Sequence, residues 1–228
     1  MRSNNSFFVK AIGFGGGALL ALLLMAGASY ADSIGGPGST CGTCQGSIYT
    51  LSYDGSPLPE SPNDPANETF RVSLTIDTSG YNGGGSYLDQ VAIKVAPSVV
   101  SASLFAAPGG TGLWNLQAGG INNSGCSGSG SGFECANFVA VAPPGVVVPN
   151  GTYVWTFDVK VANGDLLTGA DQSSIKARYV DASDNKVGAL VSEDITLQVN
   201  TPEPGTLSLF GSSLIGLAAW LRRRKAMA

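Results

Sequence analysis

Three stretches of this chain alternate apolar and polar residues with a period of two, and that pattern leaves little choice of fold. Phe70, Val72, Leu74 and Ile76 interleave with Arg71, Ser73, Thr75 and Asp77. Tyr153, Trp155, Phe157, Val159 and Val161 do the same against Val154, Thr156, Asp158 and Lys160, and Ile175, Ala177 and Tyr179 against Lys176 and Arg178. Successive side chains of a strand point to opposite faces, so each stretch reads as a strand with one buried face. Further strands are expected at 48–53, 88–95, 99–105, 138–141 and 195–199. Breakers separate them, among them Asp54-Gly55-Ser56-Pro57, Gly83-Gly84-Gly85, Pro143-Pro144-Gly145 and Asn163-Gly164-Asp165. About eight short strands divided by such turns predict an all-β fold, an antiparallel β-sandwich. The Pro- and Asn-rich segment before Phe70 reads as an extended loop.

The two ends have a different character. Arg2 and Lys10 precede an apolar, Gly-rich run at 11–25, and small residues follow through Ala28 and Ala31. A charged start, an apolar centre and a small-residue cut site make residues 1–31 a secretory signal peptide. At the other end stand Pro202-Glu203-Pro204, an uncharged run at 207–221, and then Arg222, Arg223, Arg224 and Lys225. As a helix that run would be about 22 Å long at 1.5 Å per residue, against a hydrocarbon core of about 30 Å. Snorkelling arginines and Trp220 at its edge cover the difference. The run is therefore expected to be a single transmembrane helix with its cations held in the cytoplasm, leaving residues 32–201 as one exported domain.

Taken together, the triplet Pro202, Glu203 and Pro204, the short apolar run and the basic anchor Arg222, Arg223, Arg224 and Lys225 resemble the PEP-CTERM sorting tail of Gram-negative bacteria. The resemblance spans residues 202–228 and describes sorting, not activity. It implies a partner, exosortase, a membrane-embedded cysteine protease that processes the chain near the triplet. It also implies passage through the inner membrane to the cell surface or medium, in cells that usually make exopolysaccharide and a biofilm matrix. The body from Tyr87 through Gly119-Gly120 and Cys126 to Cys135-Ala136 is similar to the exported bodies of a group of PEP-CTERM proteins. That second likeness supports the domain limits and a Cys126–Cys135 bridge, and it names no substrate.

Charge narrows the partners. Removing Arg2, Lys10 and the four C-terminal cations leaves six of 12 basic residues, and removing Glu203 leaves 15 of 16 acidic ones, so the body carries about −9. Such a surface repels nucleic acid and anionic lipid. Its four cysteines, exported into an oxidising compartment, are expected as disulfides. Cys126 and Cys135 bracket a Ser/Gly-rich loop that would be floppy unless tied, and Cys41-Gly42-Thr43-Cys44 reads as a second, structural bridge. Four cysteines allow three connectivities, and a Cys41/Cys44 redox pair is the competing reading of the closer motif.

The chain contains no His, which removes Ser-His-Asp and Cys-His catalysis and His-based zinc sites together. Asp158, Asp165, Asp171, Asp181, Asp184, Glu193 and Asp194 could supply a carboxylate pair for glycoside hydrolysis, but they fall on outward strand positions and turns. Asp181 to Asn185 lacks the alternating acidic spacing of an EF-hand loop and reads as a turn. Trp155 lies in the apolar alternation and belongs to the core, whereas Trp114, set among glycines, is the candidate for a glycan contact. The expectation is an exported, non-catalytic surface or matrix protein without cofactor or metal, binding exopolysaccharide or a matrix partner. The alternatives are a carboxylate-based glycan-active enzyme and, behind it, a periplasmic thiol-disulfide protein.

Overall fold

The long alternating stretches form strands with one buried face in a computed structural model that describes residues 33–36, 41–59, 64–128, 130–140 and 142–200. The signal peptide, the transmembrane run, the triplet and the basic anchor lie outside the described residues. In chain order the strands are β1 (Ile48–Tyr53), β2 (Asn67–Asp77), β3 (Tyr87–Lys94), β4 (Ser101–Ala106), β5 (Trp114–Ala118), β6 (Gly120–Asn122) and β7 (Gly125–Gly128). They continue as β8 (Phe133–Phe138), β9 (Val146–Val147), β10 (Thr152–Ala162), β11 (Ser173–Val180), β12 (Val191–Ile195) and β13 (Gln198–Val199). Sheet A runs in the order β13-β1-β2-β10-β4, and sheet B in the order β12-β11-β3-β8-β5 with β9 pairing β3. All pairs are antiparallel except β1 with β13.

Register explains the division into faces. In the long β2–β10 ladder Leu74 lies opposite Trp155 and Val72 opposite Phe157, while Arg71 lies opposite Asp158 and Ser73 opposite Thr156. Partners directly across a ladder share a face, so apolar meets apolar and polar meets polar. The apolar face of sheet A packs on Val91, Ile93, Ala136, Ile175, Ala177 and Tyr179 of sheet B, giving one core between the two sheets. Each fully buried Leu, Ile, Val or Phe there contributes roughly 1.5–3 kcal/mol. At one edge of this core the Tyr179 hydroxyl bonds the hydroxyls of Tyr49 at 2.7 Å and Ser47 at 2.8 Å, and Tyr81 stacks on the Tyr179 ring at 4.4 Å. Burial pushes the Tyr179 phenol up to about 12.

Sheet B is also covered on its outer face. The hairpin β6–β7 lays Ile121 and Cys126 against Ala92 and Cys135, forming a second apolar cluster bordered by Phe133 and Leu190. The Cys126–Cys135 disulfide stitches that hairpin to β8. On the same face, at a bulge between β3 and β11, Arg178 Nε donates to both oxygens of Asp89 at 3.2 and 3.0 Å, and Nη2 donates to Oδ2. Their side chains are only 9% and 3% exposed. Burial still outweighs the guanidinium and raises the Asp89 carboxyl above its ordinary range.

Several expectations need correction. The fold has thirteen strands among the described residues rather than about eight. Of the extra ones, β6, β7 and β9 are too short or too Gly-rich to show a period, whereas β5 alternates Trp114, Leu116 and Ala118 with Asn115 and Gln117 between flanking glycines. The strand expected at 138–141 is instead β8, where Glu134, Cys135 and Ala136 are buried while Val139 is exposed beyond the strand end. The stretch at 195–199 breaks at Thr196 into β12 and β13, which join different sheets. β2 begins at Asn67, inside the segment read as a loop.

Three outcomes are expected. Replacing Cys126 and Cys135 together by Ala should cost about 2–3 kcal/mol in denaturant unfolding, from loop-closure entropy alone, and should speed amide exchange in β6 and β7 before β10. Unchanged stability would mean that the bridge contributes nothing. Arg178→Ala leaves a buried, unpaired Asp89 and should cost about 3–5 kcal/mol, most of it recovered when Asp89 is also made Leu. Burial raises the Glu134 carboxyl, so between its ordinary range and that raised value the folded chain keeps a proton that the unfolded chain has lost. Stability is full below that window and falls as pH rises through it. Glu134→Gln should remove that part of the fall in a pH series of melting temperatures.

Candidate functional site

Sheet A leaves its outer face uncovered by any second layer of the described strands, and the side chains there form a connected group. Arg71 on β2 donates from Nε to Asp158 Oδ1 at 2.8 Å and from Nη2 to Oδ2 at 2.9 Å, a two-pronged contact across the β2–β10 ladder. Hydrogen bonding to that carboxylate raises the guanidinium pKa further. The same guanidinium carbon lies 3.4 Å from the centroid of the Phe105 ring on β4. Ser73 and Thr156 hydroxyls meet at 3.2 Å beside the pair, and Lys160 pairs with Asp64 farther along.

Phe105 follows inward-facing Leu104 and stands at a register shift. β4 pairs Ser103 with Asp158, Leu104 with Phe157 and Ala106 with Thr156, so Phe105 is the extra residue of a bulge. It stands 56% exposed, forgoing the roughly 1.5–3 kcal/mol that burial would bring.

Trp114 is not a surface platform. It is 6% exposed and faces inward from β5, edge-on to Phe138 at 5.1 Å and to Trp155 of the opposite sheet at 5.2 Å. Its indole Nε1 donates to the Pro108 carbonyl at 2.9 Å. The glycines that flank it build turns around a core residue instead of exposing it. Trp155 is fully buried.

Both cysteine pairs are bonded as Cys41–Cys44 and Cys126–Cys135, with Cα separations of 5.6 and 5.7 Å. The shorter loop runs through a turn into β1, with no helix behind it to lower a thiolate pKa, and Cys44 is buried against the core. Thr43 within this loop donates to Glu193 on β12.

Three carboxylates are engaged separately: Asp158 by Arg71, Asp194 by Ser174 Oγ at 2.6 Å, and Asp171 by Thr196 Oγ1 at 3.4 Å. Asp181 accepts the backbone N–H groups of Ser183 at 2.8 Å and Asn185 at 3.0 Å, as a turn residue does, and those bonds hold its carboxyl below the usual range. Asp184 reaches Arg178 at 3.7 Å, and Asp165 closes the turn after β10. Among the described residues no group of three or more His, Cys, Asp or Glu is placed to hold a metal ion.

Two features escape the sequence reading. Asp89 interrupts the apolar run of β3, and a charge at such a position is the available sign of a buried partner. Phe105 carries no such sign, because its neighbour Arg71 lies on another strand and is brought to it only by the fold.

The chain reaches its last described hydrogen bond at Asn200, whose N–H donates to the Tyr53 carbonyl of β1 at 2.7 Å, immediately after β13. Among solved structures, the chain is similar to the major pilin subunit BcpA of Bacillus cereus at 9% identity and a TM-score of 0.31, covering 67% of this chain and 40% of that one. It is similar also to the C-terminal domain of the AgI/II polypeptide BspA of Streptococcus agalactiae at 11% identity and a TM-score of 0.32, covering 64% and 50%. Both likenesses are loose, and this chain spans half or less of each structure. No curated protein matches it. Residues 200–225 match the PEP-CTERM protein-sorting motif. Directly behind its β-domain, then, the chain carries a PEP-CTERM protein-sorting motif, which implies export, processing by exosortase and sorting to the cell surface.

Proposed function

We propose that this is a non-catalytic component of the extracellular polysaccharide matrix of a Gram-negative cell. Residues 1–31 direct it through the inner membrane, 32–201 form the working domain, and the 207–221 helix with Arg222, Arg223, Arg224 and Lys225 holds it until an exosortase-like protease acts near Pro202, Glu203 and Pro204. The observation that carries this reading is the sorting motif at 200–225, which follows β13 without an intervening domain. Support comes also from Asp158, Asp194 and Asp181, each spent separately on a cation, a hydroxyl or a turn. Glycan-cleaving carboxylates work as a pair across the scissile bond.

Intact mass of the protein recovered from medium and membrane of its host tests the reading. The expected species starts near Asp32, ends near Pro202 to Pro204, and is four hydrogens lighter than the reduced chain. A membrane species that keeps Arg222 to Lys225, with nothing released, would make the tail a permanent anchor and end the exosortase reading.

A further inference from the structure

The two outer faces of the sandwich are unequal, since the β6–β7 hairpin covers part of sheet B while Phe105 stands out from sheet A. Phe105 is the only exposed aromatic residue among the described ones. It is not loose: Asp158 grips Arg71 with two hydrogen bonds, and Arg71 lies 3.4 Å from the Phe105 ring centroid. Leu104 before it faces the core opposite Phe157, so alternation puts the ring outward, and the bulge follows it.

We propose that Phe105, Arg71 and Asp158, with the hydroxyls of Ser73 and Ser103, form a binding site for a neutral polysaccharide. This rests on the matrix role proposed above and narrows it to one face and one ligand class. A sugar ring presents C–H groups to an aromatic face and hydroxyls at its rim. Here the ring is Phe105, the donor is Arg71, the acceptor is Asp158, and hydroxyls that do both stand on β2 and β4. Strands about 4.8 Å apart, with same-face side chains about 7 Å apart along each, repeat those groups as a grid. A polymer can follow such a face, whereas a small molecule needs a concave site.

Charge selects the neutral class. Arg71 and Asp158 cancel, and Asp54 is close enough to act on Arg71, so the site has no net positive charge for an anionic sugar to seek. The surrounding body, at about −9, repels a polyanion.

The test is affinity electrophoresis of the full chain in mild detergent, through gels containing hydroxyethyl cellulose, dextran, galactomannan or alginate. At least one neutral polymer should retard the protein and alginate should not. Phe105→Ala and Arg71→Ala should each weaken that retention at least tenfold, with Arg71→Lys intermediate and the remote Val139→Ala unchanged. Phe105 is exposed, so its loss should leave the melting temperature in place, and a circular-dichroism melt checks this. Retention of a neutral polymer unaffected by Phe105→Ala would overturn the site while sparing the matrix role. Binding to alginate alone, or to none of the four, would overturn the ligand class. None of these results bears on tail processing, which intact mass reads separately.

Discussion

Strand β3 is buried on both faces, and the rest of the molecule is arranged around that burden. Leu88, Val91 and Ile93 face the core between the sheets, while Ala92 faces outward under the β6–β7 hairpin. An antiparallel sheet ordinarily leaves one face to water, so a strand this apolar needs a cover. The cover is weak by itself: β6 has 3 residues and β7 has 4, and an isolated hairpin is marginal in water. Burial of Ile121 adds roughly 1.5–3 kcal/mol, and ordering the backbone costs about 1–2 kcal/mol per residue. Apolar contact therefore does not hold the hairpin unaided, which gives the Cys126–Cys135 bridge its work.

The same strand contains a polar element that stability alone does not favour. Asp89 and Arg178 satisfy each other within the outer layer, yet burial keeps the Asp89 carboxyl raised despite the guanidinium. An apolar pair of similar size could fill the space at little or no loss. What the ion pair does fix is register, because it sits at the bulge where β3 and β11 slip by one residue. Sliding those strands would separate the two charges and leave both buried. Elsewhere in sheet B the register is held by the division into faces and by single hydrogen bonds such as Gln90 to Asn137 at 2.6 Å.

Legibility in the sequence follows the length and the one-sidedness of each strand. β1, β2, β10 and β11 are readable because one face is apolar and the other polar for at least 6 residues. β8 is not, because Phe133, Glu134, Cys135 and Ala136 feed two different cores and carry no alternation. Trp114 misleads for a related reason: glycines around an aromatic residue suggest an exposed loop, yet here they turn the chain so that the indole meets Trp155 of the other sheet. The sorting motif is legible because it is linear and needs no fold to be recognised. The Phe105 group needs the fold, since Arg71, Phe105 and Asp158 lie on three strands and only the ladder brings them together.

The two disulfides are peripheral to the core between the sheets. They close loops between cysteines 3 and 9 residues apart, and neither joins sheet A to sheet B. The sheets are joined by apolar side chains, Trp155 and Phe157 on one side against Val91, Ile175 and Tyr179 on the other. Closing a short loop removes less unfolded-state entropy than closing a long one. The bridges thus hold the N-terminal turn and the hairpin, while packing that requires no oxidation defines the sandwich. Each bridge joins cysteines that local chain geometry already keeps near one another, so the core between the sheets depends on neither.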